Sequence, residues 1–485
     1  MAVVYSGSRQ YDRPLTKRAV TTVSDPNSAW FAQEPHWILS EDLQGGTYMM
    51  RKRHRRYLPQ EPRELDESYD NRLARSVCPP YLVRLERMLA GMLTRKPVRL
   101  EGTADTITEQ LFDVDLQGHD LQSWLFEYAR KMIRYGHAGV LVDAPANGGR
   151  PYWVSYTPRQ ILGWRTELAD GAQRLTQLRL METTVEPDGD YGEKVVEQVR
   201  VLTPGAWELH RRDDAKGTFE LYQEGTTSLS EIPFAVAYAN RVGYLESRPP
   251  LEDIAELNLK AYQCQSDLDN QLHISAVPML AFYGFPSSAE DVSAGPGEAL
   301  SFPAEGRAEY IEPGGTAFQY QFQRLEQLAA QINELGLSTV LGQKLSAETA
   351  EAKRIDRSQG DSTMMVIAQN VQDLVDNCLR YHAAYLGRET AAGSSLVNRD
   401  FIGGTMEPAM IRELFTLYTG GVITQETLLT QLMEGEVLGD DFNVEEELEA
   451  TANAGMDLQS DGLADGFDDR ADDNDRTEEA EETGA

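Results

Sequence analysis

Only three cysteines, Cys78, Cys264 and Cys378, and seven histidines occur in the 485 residues. The cysteines lie far apart, with no CxxC pair and no histidine cluster nearby, which excludes a disulfide framework and a zinc site of ordinary spacing. His36, His54, His119, His137, His210, His273 and His382 show no ligand spacing. The phosphate-cradling GxxxxGK[ST], the zinc-protease HExxH and the nucleophile-elbow GxSxG are all missing. The motifs therefore point to no enzyme, no cofactor and no metal. The glycine pairs at 45–46, 148–149, 314–315 and 403–404 read as turns. Long apolar runs are lacking too. The longest uncharged one, "ISAVPMLAFYGFP" at 274–286, holds two prolines and falls short of the roughly 20 residues that span a bilayer. The start, MAVVYSGSRQYDRP, has no export-type apolar stretch. These absences predict a protein with no membrane association, made in a reducing cytoplasm.

Cations are scarce overall: the formal charge is -33, with 45 Lys and Arg against 78 Asp and Glu. They are also unevenly placed. Residues 1–100 carry 17 basic and 11 acidic side chains, whereas residues 440–485 carry 2 and 18. A surface so acidic does not wrap and grip DNA, because phosphate binding needs clustered cations; it does suit a surface past which DNA moves without sticking. Residues 456–485 have almost no apolar content and are expected to be disordered. The pair Asp440–Asp441 lies in this charge-rich context, where solvation outweighs metal binding.

Against that background stands "RKRHRRYLP", beginning at Arg51. Three readings are open. Its cations can form a solvated turn paired with the acidic stretch "EPRELDESYD" that follows. They can form a partner-docking patch through Arg51, Lys52, Arg53, Arg55 and Arg56. Or they can grip DNA directly, for which the single nearby aromatic, Tyr57, is thin support.

Along the chain, residues 1–35 read as an extended arm and are followed by a helix ending near Gln44, a Gly-Gly turn, and a helix over 62–77. Pro80 is placed to open the next helix, in which Leu82, Leu85, Leu89 and Met92 form one apolar face. Another amphipathic helix runs through Leu121, Trp124, Leu125, Tyr128 and Met132. Short β-type runs punctuated by Gly, Pro and Asp then predict antiparallel sheet over about 138–242. Two long helices follow. One carries a stripe of Ile254, Leu257, Ala261, Leu268 and Leu272, the other of Phe318, Phe322, Leu325, Leu328, Ile332 and Leu335; each spans roughly 36 Å at 1.5 Å per residue. Residues 276–316 between them are irregular or β. A third long pattern places Met364, Ile367, Val371, Leu374, Cys378 and Leu386 together, before a strand at 396–401 and two shorter helices, the second capped by Thr424. The fold class is α+β. The polar faces of the first two long helices face solvent in a monomer. If many copies stand side by side in a ring, Glu256, Asp267, Glu326 and Glu334 instead make an acidic channel wall that repels phosphate.

The order of these elements resembles the portal proteins of tailed double-stranded DNA bacteriophages over about residues 30–455. The resemblance is carried by "YLPQEPRELDESYDNRLARSVCPPYLVRLERMLAGMLTRKPVRL", with its Gly91–Val98 helix-end pattern, and by "PYWVSYTPRQILGWR", "VRVLTPGAWELHRR" and "IPFAVAY". These are similar to a portal branch long known only as a domain of unknown function. The resemblance implies a helical and β wing over 36–250 and a long-helix stem at 251–275 and 317–340. It implies a small β-rich clip at 276–316, a tunnel loop at 341–352, a long wing helix and strand at 353–402, and a helical crown at 403–455. Residues 1–35 are then the arm and 456–485 the acidic tail. It further implies a homo-oligomer, usually a dodecamer, at one capsid vertex of the virion, assembled in the host cytoplasm. The terminase large subunit would dock on the clip to drive double-stranded DNA through the channel, and a head-tail adaptor would later replace it. The major capsid protein and a scaffold protein would be further partners. Gln343, Lys344, Ser346 and Lys353 become tunnel-loop candidates for transient DNA contact, although Lys344 and Lys353 could equally pair with Glu348 and Glu351. The basic run moves to the outer rim, where capsid, scaffold or a neighbouring subunit is the expected partner. The competing readings are another capsid or connector protein and a DNA-processing hydrolase with an unrecognised site.

Overall fold

A computed structural model of the chain describes residues 20–276 except 146, 147 and 170, then 279–283, 307–311, 316–341, and 350–451 except 400, 402–407, 436, 440 and 441. The chain divides into two units, residues 1–401 and 402–485. The first is an α+β unit.

It opens with helix α1, Ser28–Gln44, where the Asn27 side chain caps the start by accepting from the Trp30 N–H at 2.8 Å. The arm expected to reach residue 35 therefore ends by Asn27, and Pro35 sits inside the helix. A proline there removes one backbone hydrogen bond. The helix persists because Trp30 and Trp37 are buried, packed edge-on at 5.7 Å, with Tyr135 edge-on against Trp37 at 6.3 Å. The Gly-Gly turn is also tighter than expected: α2, Gly46–Lys52, starts within it and runs into a 3-10 turn, His54–Arg56. Helix α3, Asp66–Arg75, is shorter than the sequence pattern suggests. In α4, Tyr81–Leu93, the buried face is Leu82, Leu85, Leu89 and Leu93, with Met92 only half-buried. Strand β1, Arg99–Glu101, and helix α5, Asp105–Gln110, connect to α6, Leu121–Tyr135.

The predicted antiparallel region forms two sheets. Strand β2, His137–Asp143, is the centre of a three-stranded sheet between β3, Tyr152–Tyr156, and β9, Phe234–Tyr238. Its alternation explains why the run is apolar throughout. Ala138, Val140 and Val142 join the main core of helices, while Leu141 turns to a second core with Leu178, Leu180, Leu202 and Phe234. That second core lies under a five-stranded meander: β4, Ile161–Ala169; β5, Ala172–Asp188; β6, Gly192–Thr203; β7, Ala206–Asp213; and β8, Thr218–Thr226. A small pair, β10 (Arg241–Gly243) and β11 (Glu246–Ser247), leads to the long helices.

These are α7, Glu252–Ser275, α8, Thr316–Leu341, and α9, Ala350–Tyr385. Between α7 and α8, β12 (Met279–Tyr283) pairs antiparallel with β13 (Arg307–Ile311). Helix α9 has 36 residues, about 54 Å, and buries Met364, Ile367, Val371, Leu374 and Cys378 as its periodicity predicts. The strand expected at 396–401 is β14, Ser394–Leu396, two residues earlier and paired with β1. The second unit contains α10, Pro408–Thr419, and α11, Gln425–Glu434, whose cap Thr424 accepts from the Thr427 N–H at 3.2 Å. The acidic tail at 456–485 lies outside the described residues.

Candidate channel face and basic turn

The three long helices pack in chain order, α7 on α8 and α8 on α9. Their environments differ. On α7 the buried set is Ile254, Ala255, Asn258, Ala261, Tyr262, Ser266 and Leu268, and Leu272 is exposed. Asn258 ties the helix to α4, accepting from the Leu82 N–H at 3.0 Å and donating to the Pro79 carbonyl at 2.8 Å. One polar flank of α7 faces the first three helices. His36 of α1 meets Glu252 at 2.5 Å, Gln263 donates to the Tyr57 carbonyl at 3.0 Å, Arg72 of α3 approaches Asp267 at 3.6 Å, and Arg75 donates to Asn270 at 2.9 Å.

That flank contains two of the four wall candidates. Glu256 and Asp267 are both partly covered and partly open to solvent. Asp267 is not a free carboxylate, because Arg72 partners it; Glu256 has no partner among the described residues. Burial, followed by the nearby carboxylates of Glu252 and Asp253, holds the Glu256 pKa above its usual range. Burial raises that of Asp267, partly offset by Arg72.

Helix α8 is different. Of its six-residue apolar stripe only Leu328 and Ile332 are buried, while Phe322 and Leu335 are 48% and 41% exposed; Tyr320, outside the stripe, is 73% exposed. Gly336 is buried against the Leu85 side chain, which an added Cβ would meet at 2.7 Å. Glu326 and Glu334 are exposed, with no ion pair among the described residues. At eight residues apart they are offset by about 80° around the helix axis. So over its described side chains α8 exposes amides and Arg324 together with Glu326, Glu334 and a few large apolar groups, Tyr320 and Phe322 foremost. Of the tunnel-loop candidates, Gln343, Lys344 and Ser346 lie outside the described residues, and Lys353 lies near the start of α9.

The basic turn is largely spoken for within the chain. Arg51 donates through Nε and NH2 to the Ser76 carbonyl at 3.0 and 2.7 Å. Arg53 Nε is 2.9 Å from both oxygens of Asp42, a 2%-exposed carboxylate of α1 that also accepts from the Tyr57 hydroxyl at 2.6 Å. Arg55 pairs with Asp66 at 2.9 Å and lies over the Tyr69 ring at 5.3 Å, and Arg72, itself held by Glu64 at 2.7 Å, lies over the same ring at 5.4 Å. Lys52 and Arg56 remain exposed; Arg56 lies over the Tyr57 ring at 5.6 Å. The turn is thus a latch between α1, α3 and the chain before α4. Only Arg55 uses the acidic stretch that the sequence offered as its partner.

Sequence reading missed two buried carboxylates. Asp42 anchors the latch. Glu86 of α4, 1% exposed, accepts from Arg130 at 3.1 Å and from Arg134 at 3.0 and 2.8 Å, clamping α4 to α6. The available signal was an acidic residue on an otherwise apolar helix face with two arginines four apart on a neighbouring helix. Among the described residues no group of three His, Cys, Asp or Glu side chains could hold a metal ion, and no helix is long and apolar enough to cross a membrane. The cysteines are unpaired; burial pushes the Cys78 thiol up to about 12 and raises that of Cys378 as well.

Comparison with known proteins gives one family match: residues 250–386, which span α7 to α9, fit a domain family of unknown function, DUF4055. No curated protein matches the sequence. Among solved structures, the neck of an empty GTA particle computed with C6 symmetry aligns at 12% identity and TM-score 0.40, covering 76% of this chain and 93% of that one. The virion of a native gene transfer agent particle aligns at 11% and 0.40, covering 79% and 98%. The neck of a native GTA particle computed with C12 symmetry aligns at 13% and 0.38, covering 76% and 93%.

Proposed function

We propose that the protein is a portal, a ring-forming head-tail connector through which double-stranded DNA passes, and that it catalyses no reaction. The observation that carries this reading is α8. Tyr320 and Phe322 are 73% and 48% exposed in the single chain, while Glu326 and Glu334 on the same helix have no ion pair among the described residues. Side-by-side copies would bury the first set and leave the second along a shared wall. The helix–hairpin–helix order of α7, β12–β13 and α8, followed by the long α9, fits the stem, clip and wing that the sequence resemblance implies.

In this reading an acidic wall serves passage, not capture. Unpaired carboxylates repel phosphate, so DNA finds no deep electrostatic well along the axis. Asp267 contributes less than its neighbours because Arg72 neutralises it. Terminase, adaptor, capsid and scaffold are the partners such a ring would meet, and Gln343, Lys344, Ser346 and Lys353 are retained as the proposed transient DNA contacts.

Native mass measurement of the purified full chain across a salt series tests the reading. A discrete closed multimer, with twelve copies as the leading expectation, supports it. A monomer at every salt concentration removes the argument from α8 and reopens the hydrolase reading, which an assay with magnesium and DNA would then address.

A further inference from the structure

Apart from the long helices, the described surface holds a cavity of about 390 Å3 on the outer face of the five-stranded meander, closed on one side by residues 20–27. The pairing register sets its floor. Arg165 lies opposite Gln177, Arg179 opposite Val201, and Val201 opposite Glu208, so these side chains rise on one face. Gly163 pairs with Arg179, and a Cβ there would stand 2.5 Å from the Arg179 NH2; the glycine gives the guanidinium room to lie against β4.

Arg179 is the central group. It is 9% exposed, and it donates only through NH1, to the carbonyls of Val23 at 2.7 Å, Asp25 at 2.8 Å and Thr22 at 3.4 Å. Its Nε and NH2 have no acceptor among the described residues. No carboxylate pairs with it, since Asp25 spends its Oδ2 on the N–H groups of Thr21 and Thr22 at 2.9 and 2.8 Å. A second guanidinium, Arg165, stands nearby and makes no hydrogen bond or ion pair among the described residues, and the same holds for the Gln177 amide opposite it. The lining also holds one carboxylate, Glu208, which meets His210 at 2.9 Å. Burial, and then the neighbouring Arg165 charge, hold the Arg179 pKa below its usual value, partly offset by the Asp25 carboxylate.

We infer that this cavity is a binding site for a small organic anion. A carboxylate or phosphate group would lie between Arg165 and the free edge of Arg179, within reach of the Gln177 amide, and the body of the molecule would lie against Val23 and Val201. Both head groups satisfy the same chemistry, because a guanidinium fork matches either oxyanion. The volume exceeds what a bare inorganic ion fills and lies within the range of small-molecule sites. The inference does not depend on ring formation.

Calorimetric titration of the full chain at fixed ionic strength with benzoate, phenyl phosphate and inorganic phosphate tests it. Saturable one-site binding of benzoate or phenyl phosphate is expected, and whichever binds tighter identifies the head group. Arg165→Ser, at an exposed position that leaves the Arg179 contacts in place, should weaken it about tenfold, the loss of one charge-assisted hydrogen bond. Gln177→Ala should weaken it less, and both variants should keep the wild-type melting temperature. Non-saturating heats with all three probes would overturn the site. So would binding that neither substitution alters, and inorganic phosphate binding as tightly as phenyl phosphate would overturn the assignment of an organic ligand.

Discussion

Replacing Glu86 with alanine probes how α4 and α6 are held together. The carboxylate is 1% exposed and accepts three charge-assisted hydrogen bonds from Arg130 and Arg134, whose side chains are 14% and 17% exposed. Removing it strands two mostly buried cations, and breaking a buried pair in this way costs about 3–5 kcal/mol. The lower end applies here for two reasons. Arg130 keeps Glu127 at 2.9 Å, and both arginines keep the Gln44 side-chain oxygen, which lies at 3.0 and 3.1 Å once its amide is oriented to satisfy both ends. The expected loss is therefore about 3 kcal/mol, read as a lower urea midpoint with an unchanged slope. Glu127→Ala is the control. It removes only an exposed i,i+3 partner of the same arginine and should cost under about 1 kcal/mol. Equal losses for the two substitutions, or a loss below about 1 kcal/mol for Glu86→Ala, would refute the claim that this clamp is a desolvated and mutually dependent unit.

Other outcomes are expected from the same structure. Gly136 closes α6 at φ +89°, and a Cβ there would lie 2.4 Å from the Arg248 carbonyl oxygen; Gly136→Ala should cost about 3 kcal/mol in urea unfolding, from backbone strain plus the clash. Stability should fall as the pH drops below about 6.5. Burial depresses His137 to about 3, and burial followed by Arg150 depresses His382 to about 4, so between these values and 6.5 the unfolded chain binds the extra protons. His137→Gln and His382→Gln should each flatten that slope, by at most about 1.4 kcal/mol per pH unit. Tyr320→Ser with Phe322→Ser should change the melting temperature little but reduce the multimer fraction in native mass spectra, since these side chains are 73% and 48% exposed in the single chain. Lys52→Ser with Arg56→Ser is the informative test of partner docking at the basic turn and should lower incorporation into capsids while leaving isolated rings intact. Including Arg51, Arg53 and Arg55 would loosen the latch and confound the result.

Periodicity carried far in this chain where burial is one-sided and complete. The α9 stripe from Met364 to Cys378 and the N-cap at Thr424 were both legible. It failed where tertiary contacts overrode local signals. Pro35 suggested an extended arm, but the Trp30–Trp37–Tyr135 cluster keeps the helix intact around it. The α8 stripe was legible as a pattern, yet the pattern could not tell which of its members a single chain covers. The basic run was visible as charge only. Its role as a latch depends on Asp42 and on the Ser76 carbonyl, 11 and 25 residues away in the chain, and nothing in local composition couples those positions. The anion cavity was invisible for the same reason: Arg165, Gln177 and Arg179 meet residues 20–27 only through sheet register.

Cryo-electron microscopy of the purified full chain tests whether α8 closes a ring. Closed rings are expected, with a central channel wide enough for duplex DNA, α8 packed between neighbouring copies, and Glu326 and Glu334 facing the lumen. Single chains with α8 bare to solvent, or open filaments without a channel, would contradict it.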